Sequence, residues 1–164
     1  MTETNKKQPL LQVKNLKTYF HSSRGTVKAV NDVSYEVYQG ETLGVVGESG
    51  CGKSITSMSI ARLVECPPGK YEGGEILLDG EDMLKVSDQR LREIRGNKIS
   101  YIFQEPMTSL NPVFKIGYQI EEVLRLHKGM SKEEARKAAI DALDKVRIPN
   151  PERIVDEYPF ALSG

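Results

Sequence analysis

The sequence has little that would point to a secreted, membrane-spanning or nucleic-acid-binding protein. Its 164 residues include two cysteines and no tryptophan. No apolar run approaches the roughly 18 residues that a membrane-spanning helix needs. Residues 1–9 are polar, so we expect no secretory signal there. The 23 basic residues balance 23 acidic ones, whereas nucleic-acid-binding domains usually have a basic excess. Two cysteines cannot form a disulfide framework in a chain of this length, which favours a reducing compartment.

What the chain does contain is typical of a soluble globular protein, with 38% hydrophobic and 28% charged residues. Alternating polar and apolar residues over 10–20 and 27–37 predict two strands, with a turn at 21–25 between them. Continuous apolar runs at 42–46 and 98–103 predict strands that are buried on both faces. The first part of the chain therefore reads as mixed β and α structure.

Beyond residue 104 the pattern favours helices. Apolar residues recur at helical spacing from Ile116 to Leu124, which predicts one amphipathic helix. Ser131 and Glu134 fit a capping box, so a second helix is expected to begin there. Pro149 is expected to end that helix. The last part of the chain is therefore predicted to be helical.

A glycine-rich segment between the apolar run at 42–46 and a helical pattern matches G-x-x-x-x-G-K-[ST] at every fixed position. Glycines let successive backbone N–H groups converge on an anion, and the N-terminus of the following helix adds positive potential. Lys53 would neutralise the β- and γ-phosphates of a nucleotide, and the Ser54 hydroxyl would bind Mg²⁺. The alternative is a glycine-rich connection that binds nothing. The predicted phosphate-binding residues are Gly47, Glu48, Ser49, Gly50, Cys51, Gly52, Lys53 and Ser54.

The segment from Glu75 to Asp79 imitates a second motif of such proteins, a strand that ends in a Mg²⁺-binding aspartate. However, Asp79 is followed directly by Gly80, and Asp-Gly is a strong turn pair. We therefore interpret this segment as a β-hairpin rather than as a metal site.

Three further segments narrow the class. Tyr101–Pro106 resembles the Q-loop of ABC transporter ATPases, and Met107–Pro112 is similar to the subgroup that serves dipeptide, oligopeptide and nickel importers. Tyr158–Gly164 resembles the approach to the signature motif of that family. These motifs stand in family order, and the resemblance covers residues 10–164.

The resemblance implies an α/β fold: a P-loop NTPase (ABC ATPase) core with an N-terminal antiparallel β region and an α-helical subdomain. The chain stops inside the signature motif, so this fold is expected to be truncated. Residues 1–9 would form a disordered lead-in, and residues 10–103 the N-terminal part of the core with the P-loop. Residues 104–164 would hold the Q-loop and the helical subdomain.

The resemblance also implies roles for individual residues. Lys53 and Gln104 would be catalytic, and Ser54 with Gln104 would bind Mg²⁺. Phe20 would stack on adenine, with its neighbour Tyr19 as the alternative if the register differs by one. The alternative for Phe20 is packing in the core of the strand.

Two residues at the end of the chain, Ser163 and Gly164, would touch the nucleotide bound to an opposite subunit. The alternative is that these two residues only cap a helix. Met107, Leu110, Val113 and Phe114 follow Gln104 closely, and would either form a core or receive a segment of a membrane subunit.

The function implied is that of an ATP-binding and ATP-hydrolysing subunit that energises import of dipeptides or oligopeptides, with nickel or glutathione as alternative solutes. ATP and Mg²⁺ would be bound, and the partners would be transmembrane permease subunits and a second ATPase subunit, homologous or identical. No contact with nucleic acid or with the solute is expected. The subunit would lie peripherally on the cytoplasmic face of the cell membrane.

Two other functions stay open from the residues. One is a nucleotide-binding module without turnover, since the family's catalytic glutamate region is not among these 164 residues, which we expect to be inactive alone. The other is a P-loop ATPase of a non-transport branch, such as a DNA-repair relative, which the balanced charge disfavours.

Overall fold

The computed structural model describes residues 8–105 and 109–162. The chain forms two compact units, Met1–Arg92 and Glu93–Gly164. The strands are β1 (Leu11–Ser22), β2 (Gly25–Val37), β3 (Gly69–Leu78) and β4 (Glu81–Asp82). The helices are α1 (Lys53–Ile60), α2 (Asp88–Ile94), α3 (Ile116–Lys128), α4 (Lys132–Lys145) and α5 (Pro151–Ile154), followed by a 3₁₀ turn at Pro159–Ala161. The domain boundary expected at residue 103 stays a prediction.

The first unit is organised around an antiparallel sheet with strand order β2-β1-β3-β4. The two alternating segments of the sequence form β1 and β2, as predicted, and they pair as a hairpin. Strand β1 lies in the middle of the sheet, because it pairs with β2 on one side and with β3 on the other. Val13, Leu16 and Ile76 are almost completely buried and contribute to the core.

The predicted turn at Asp79–Gly80 is confirmed. Strand β3 ends at Leu78, which pairs with Glu81 of β4 across a two-residue connection. Both turn residues have positive φ, 53° for Asp79 and 83° for Gly80, as a tight hairpin with this sequence requires. Asp79 is therefore a turn residue at the end of a hairpin strand.

A β-bulge interrupts the pairing of β1 with β2. Thr18 pairs with Val30, but the next residue of β1, Tyr19, pairs with Lys28. Ala29 is thus left opposite no residue of β1, which is the arrangement of an extra residue in one strand. The bulge bends β2 at Ala29, whose carbonyl oxygen lies against Gly52 of the glycine-rich loop.

The two apolar runs do not form strands, so that prediction was wrong. Residues 42–46 and 98–103 lie outside every strand of the described residues, apart from one isolated bridge between Arg95 and Ile99. Apolar side chains in both runs are exposed, with Val46 at 91% and Ile102 at 88% of full accessibility. An apolar run indicates that both faces of a segment are buried, but a strand also needs neighbouring strands to which its backbone can hydrogen-bond. None of the described residues pairs with either run along its length.

Helix α4 of the second unit begins as the sequence predicts. The Ser131 side chain accepts a hydrogen bond from the Glu134 backbone, and the Glu134 carboxylate accepts one from the Ser131 N–H at 2.8 Å. Ala139 and Leu143 of this helix pack with Ile116 and Val155 in a small apolar cluster. Local signals are thus sufficient to place this helix.

Helix α3 is held at its N-terminal end by one segment of the chain, residues 155–157. The Ile116 and Gly117 N–H groups donate to the Glu157 and Val155 carbonyl oxygens, each at 2.9 Å. These bonds satisfy two of the donors that every helix leaves free at its start. The segment before the 3₁₀ turn is therefore tied to the start of α3.

The side chain of Gln119, one turn into α3, fixes the loop that precedes this helix. Its amide nitrogen donates to the Asn111 and Phe114 carbonyl oxygens, both at 3.0 Å. Its amide oxygen accepts from the Asn111 N–H at 2.8 Å. Phe114 also lies against Tyr118 with ring centroids 5.2 Å apart. The loop and the first turns of α3 thus form one connected piece.

Candidate phosphate-binding site

The glycine-rich loop closes on the side chain of Lys53, the first residue of α1. The Lys53 ammonium donates to the Gly47 and Glu48 carbonyl oxygens at 2.8 and 2.7 Å, and lies 3.5 Å from the Cys51 sulfur. The Cys51 N–H donates back to the Glu48 carbonyl at 3.3 Å. The loop is therefore folded as a compact ring around a positive charge, with most of its residues exposed to solvent.

Gly52 is the residue at which the loop becomes a helix, and only glycine fits there. Its φ of 94° lies in the left-handed region, and a Cβ at this position would overlap the Ala29 carbonyl oxygen. The bulge in β2 thus places Ala29 directly against the last glycine of the loop. At the other end, a Cβ on Gly47 would come within 2.6 Å of the Cys51 sulfur.

The start of α1 provides the remaining polar groups. Ser54 is exposed in the first turn, and the Thr56 hydroxyl donates to the Gly52 carbonyl oxygen at 2.9 Å. Backbone N–H groups at a helix start are a natural site for an anion. A small cavity of about 150 Å³ opens at this point and is lined by Ala29, Gly50, Gly52, Lys53, Ser54 and Ile55.

A larger cavity of about 450 Å³ lies beside the same helix. Tyr35 of β2 lines it, and burial raises the pKa of this phenol. The other lining residues are Leu11, Val37, Leu43, Val45, Lys53, Ser54, Thr56, Ser57 and Ile60. Its walls are mostly apolar, in contrast with the polar loop.

Phe20 and Tyr19 point to opposite faces of β1, because successive residues of a strand alternate. Phe20 is half-buried, and a Cβ on Gly69 would lie 3.3 Å from its ring. Tyr19 instead donates its hydroxyl to the Asn31 side chain at 2.6 Å, with the Lys28 ammonium 5.6 Å from its ring centroid. The structure thus shows distinct surroundings for the two aromatic candidates.

His21, the next residue of β1, joins a polar cluster on the strands. One of its ring nitrogens lies 2.6 Å from the Glu72 carboxylate and the other 3.0 Å from the Thr26 hydroxyl. Lys70 binds the second oxygen of Glu72 at 3.1 Å. Hydrogen bonds from His21 and Lys70 lower the pKa of Glu72. This cluster ties β1, β2 and β3 together near Phe20.

The remaining candidates lie in the second unit. Gln104 is exposed in a bend, one residue beyond Phe103. Ser163 and Gly164, and Met107 in the loop, lie outside the described residues. No group of three or more potential metal-ligating side chains of the His, Cys, Asp and Glu types occurs in residues 8–105 and 109–162.

Two residues near the site were missed by sequence reasoning. Thr18 of β1 and Ser59 of α1 are both fully buried, and their hydroxyl oxygens lie 3.0 Å apart. The available signal was a polar residue on an otherwise apolar face: Thr18 shares its face of β1 with Phe20, and Ser59 follows Ile55 by one helical turn. The bulge at Ala29 has no comparable signal in the sequence.

The loop, its lysine and the helix that follows define the fold of a P-loop NTPase. A family model described as ABC transporter matches residues 30–164. The chain belongs to the ABC transporter family.

The similar proteins are consistent with this assignment. The chain is 49% identical over its whole length to a putative peptide import ATP-binding protein of Brucella abortus, and covers 49% of that protein. It is 47% identical to the oligopeptide transport ATP-binding protein OppD of Bacillus subtilis, over 94% of the chain and 43% of that protein. The chain thus spans about half the length of the curated relatives it matches.

A solved structure shares the fold. The dimeric structure of MJ0796, a bacterial ABC transporter cassette, is 28% identical with a TM-score of 0.80, over 94% of this chain and 63% of that one. A second structure of the same cassette is described as bound to ADP and Pi. In the described part of this chain, no helix is both long and apolar enough to cross a membrane.

Proposed function

We propose that the chain is the ATP-binding part of a subunit that hydrolyses ATP to energise import of dipeptides or oligopeptides through an ABC transporter. The observation that carries the proposal is the position of Lys53, whose ammonium is held over the glycine-rich loop at the start of α1. The names of the relatives, peptide import and oligopeptide transport ATP-binding proteins, support peptides as the solute. Nickel and glutathione are the alternative solutes.

The residues of the loop support the binding of a nucleoside triphosphate with Mg²⁺. A side chain at Gly52 would overlap the Ala29 carbonyl oxygen, so only glycine allows this turn from the loop into α1. The backbone N–H groups at the start of α1 are a natural site for an anion. The Lys53 ammonium donates to two carbonyl oxygens of its own loop, and phosphate oxygens are better acceptors for it. The exposed Ser54 hydroxyl would be the Mg²⁺ ligand in this chain. Bound Mg²⁺ would neutralise charge on the transferred phosphoryl group.

Phe20 is proposed to support the adenine base. It lies two residues beyond Thr18 on the face of β1 against which α1 packs, and it is only half-buried. Tyr19 is engaged with Asn31 and Lys28 on the opposite face, which makes it the weaker candidate.

Gln104 is proposed to orient the attacking water and to approach Mg²⁺, and Ser163 and Gly164 to contact nucleotide on a second ATPase subunit. The similar cassette MJ0796 is dimeric, which supports a paired arrangement of such subunits. A glutamine orients water but is a poor proton acceptor. For this reason the 164 residues alone are proposed to bind ATP without sustained turnover.

The permease subunits are proposed to bind the second unit at the loop before α3. Val113 and Phe114 are exposed there, although Gln119 holds the loop in a fixed shape. Contiguous apolar patches on a surface are typical of interaction sites, and Val113 and Phe114 would form part of such a patch. Such a contact would place the protein peripherally on the cytoplasmic face of the membrane.

Replacing Lys53 with alanine tests the proposal. A charge-assisted bond to phosphate contributes roughly 1.5–3 kcal/mol, so Lys53→Ala should weaken MgATP binding about 10- to 150-fold. Isothermal titration of both folded proteins measures the change. Lys14→Ala is the matched control, because Lys14 is a half-buried lysine of the same unit whose ammonium pairs with Glu75 and not with the loop. Equal affinities for Lys53→Ala and the control would contradict the proposal.

The base platform is tested by substituting the two aromatic residues separately. Base–aromatic stacking contributes about 1–3 kcal/mol and is tolerant of base identity. Phe20→Ala should therefore weaken ATP and GTP binding alike by about 5- to 150-fold, and Phe20→Tyr should have a small effect. If Tyr19→Ala reduces affinity and Phe20→Ala does not, Tyr19 is the platform.

A further inference from the structure

A buried pair of hydroxyl groups joins strand β1 to helix α1. Thr18 and Ser59 are both 0% exposed, and their side-chain oxygens are 3.0 Å apart. The Ser59 hydroxyl also lies 2.7 Å from the Ile55 carbonyl oxygen, which can only accept. Ser59 has one proton and gives it to Ile55, so Thr18 must be the donor in the bond between them.

This pair forms a continuous polar connection from the strand to the first turn of the helix. It runs from the Thr18 hydroxyl through the Ser59 hydroxyl to the Ile55 carbonyl, one residue beyond Ser54. At its other end, Phe20 is two residues from Thr18, and β1 pairs with β3 without a shift of register between them. The two residues therefore share one face of the strand.

Burying two hydroxyl groups between β1 and α1 costs free energy, which their hydrogen bonds must offset. An apolar pair of similar shape would fill the same space without needing satisfied hydrogen bonds. What hydroxyl groups add is direction, because a hydrogen bond fixes the separation of two elements along the interface more narrowly than dispersion contacts do. Sliding of α1 along β1 would break this bond while leaving most apolar contact intact.

We propose that Thr18 and Ser59 are positioning residues that fix the phosphate-binding loop relative to the base platform on β1. This inference rests on the proposed function, because it takes Lys53 and Ser54 as the phosphate end of the nucleotide site and Phe20 as the base end. Neither hydroxyl touches the nucleotide. Their role is to keep two contacts at the separation that one ATP molecule requires.

The loop itself is held by other bonds. Lys53 binds the Gly47 and Glu48 carbonyls, and the Thr56 hydroxyl binds the Gly52 carbonyl. Loss of the Thr18 bond leaves these contacts in place. A ligand that occupies only the loop should therefore be insensitive to the pair, whereas a ligand that reaches both ends should be sensitive.

The test compares MgATP with magnesium tripolyphosphate, which lacks the base, by titration of the purified protein. The variants are Thr18→Val, which keeps the shape and removes the donor, and Thr18→Val with Ser59→Ala. In both variants ATP affinity should fall about two- to tenfold, while tripolyphosphate affinity stays within about twofold. Thr18→Ser keeps the donor and should restore ATP affinity.

The melting temperature separates positioning from stability. Replacing both partners of a buried hydrogen bond by apolar groups can be nearly neutral for stability, so we expect the double variant to keep about the wild-type melting temperature. If the ATP affinity of the double variant is unchanged, or if its affinities for both ligands fall equally, the inference is wrong. Ser34→Ala is the control, since its hydroxyl accepts a bond from the Asn15 N–H on the same strand pair, outside the site.

The two proposals fail in distinguishable ways. If the wild-type protein binds neither ATP nor tripolyphosphate, the proposed function fails and the positioning role fails with it. If the wild-type protein binds both ligands and the ratio of the two affinities is the same in the variants, only the positioning role fails.

Discussion

Strand β1 and the apolar run at 42–46 illustrate two outcomes for segments that both predict strands. Strand β1 alternates polar and apolar residues, pairs on both sides and buries Val13 and Leu16. The run at 42–46 is more apolar, yet it lies outside every described strand and exposes Val46 almost fully. Hydrophobicity alone therefore does not decide which segment becomes a strand.

The difference lies in where the partner strand is found. β1 meets β2 across a turn of two residues, so its ladder forms from neighbouring sequence. A strand buried on both faces is typical of parallel sheets, in which the neighbour comes from a distant part of the chain. Apolar residues of the run at 98–103 are exposed in the same way. Both runs therefore expose apolar side chains that a neighbouring strand would cover.

The largest expected effect on the free energy of unfolding comes from replacing isoleucine with alanine in a paired strand. The same replacement in an unpaired apolar run is the comparison. Ile76→Ala in β3 removes a fully buried side chain and should lower the free energy of unfolding by about 2–5 kcal/mol. Ile102→Ala, at 88% exposure, should change it by less than about 0.5 kcal/mol. Chemical unfolding is followed by circular dichroism, since the chain has no tryptophan. Similar losses for both would show that Ile102 is covered in solution.

An intermediate effect is expected at the capping box, where a helix depends only on local residues. Ser131→Ala should destabilise the protein by about 1 kcal/mol, whereas Ser131→Thr should be mild. The hydrogen bonds with Ser131 lower the pKa of Glu134. Glu134 therefore contributes stability above its unfolded pKa, and this contribution is lost as the pH falls through the lowered value.

The pH dependence provides the check on that assignment. The difference in unfolding free energy between wild type and Ser131→Ala should shrink as the pH falls below about 4. A difference that is constant from neutral to acidic pH would show that Glu134 does not share in the cap.

The smallest effect on stability is expected at Val46. Val46→Thr keeps the shape of an exposed side chain and should change the free energy of unfolding by less than about 0.5 kcal/mol. It should nevertheless reduce self-association, because exposed apolar segments promote association between molecules. Sedimentation velocity measures this. Val13→Thr, which is buried, is the contrasting variant and should destabilise instead.

The sequence predicted structures that depend on local patterns. The β1–β2 hairpin, the Asp79–Gly80 turn and the cap at Ser131 each depend on residues close together in the chain, and each is present. The strands expected at 42–46 and 98–103 depend on distant partners, which periodicity does not reveal. The helical pattern that follows the glycine-rich segment is present as α1, which spans Lys53–Ile60.

For the candidate site the division is similar. The motif from Gly47 to Ser54 is contiguous, so its residues could be named from spacing alone. The contact of Gly52 with Ala29 and the bond between Thr18 and Ser59 join residues far apart in sequence. No pattern within one segment could reveal them. Roles assigned to Phe20, Gln104, Ser163 and Gly164 stay predictions.

The clamp that Gln119 makes on the loop before α3 has a mechanical consequence. Because the Asn111 and Phe114 carbonyls are bonded to this side chain, we expect a displacement of the loop to rotate the helix rather than to bend the connection between them. Helix α3 has 13 residues and is about 20 Å long. A rotation of about 10° at the loop would therefore shift the far end, at Gly129, by about 3.5 Å. We therefore expect the loop and the helix to move as one rigid body.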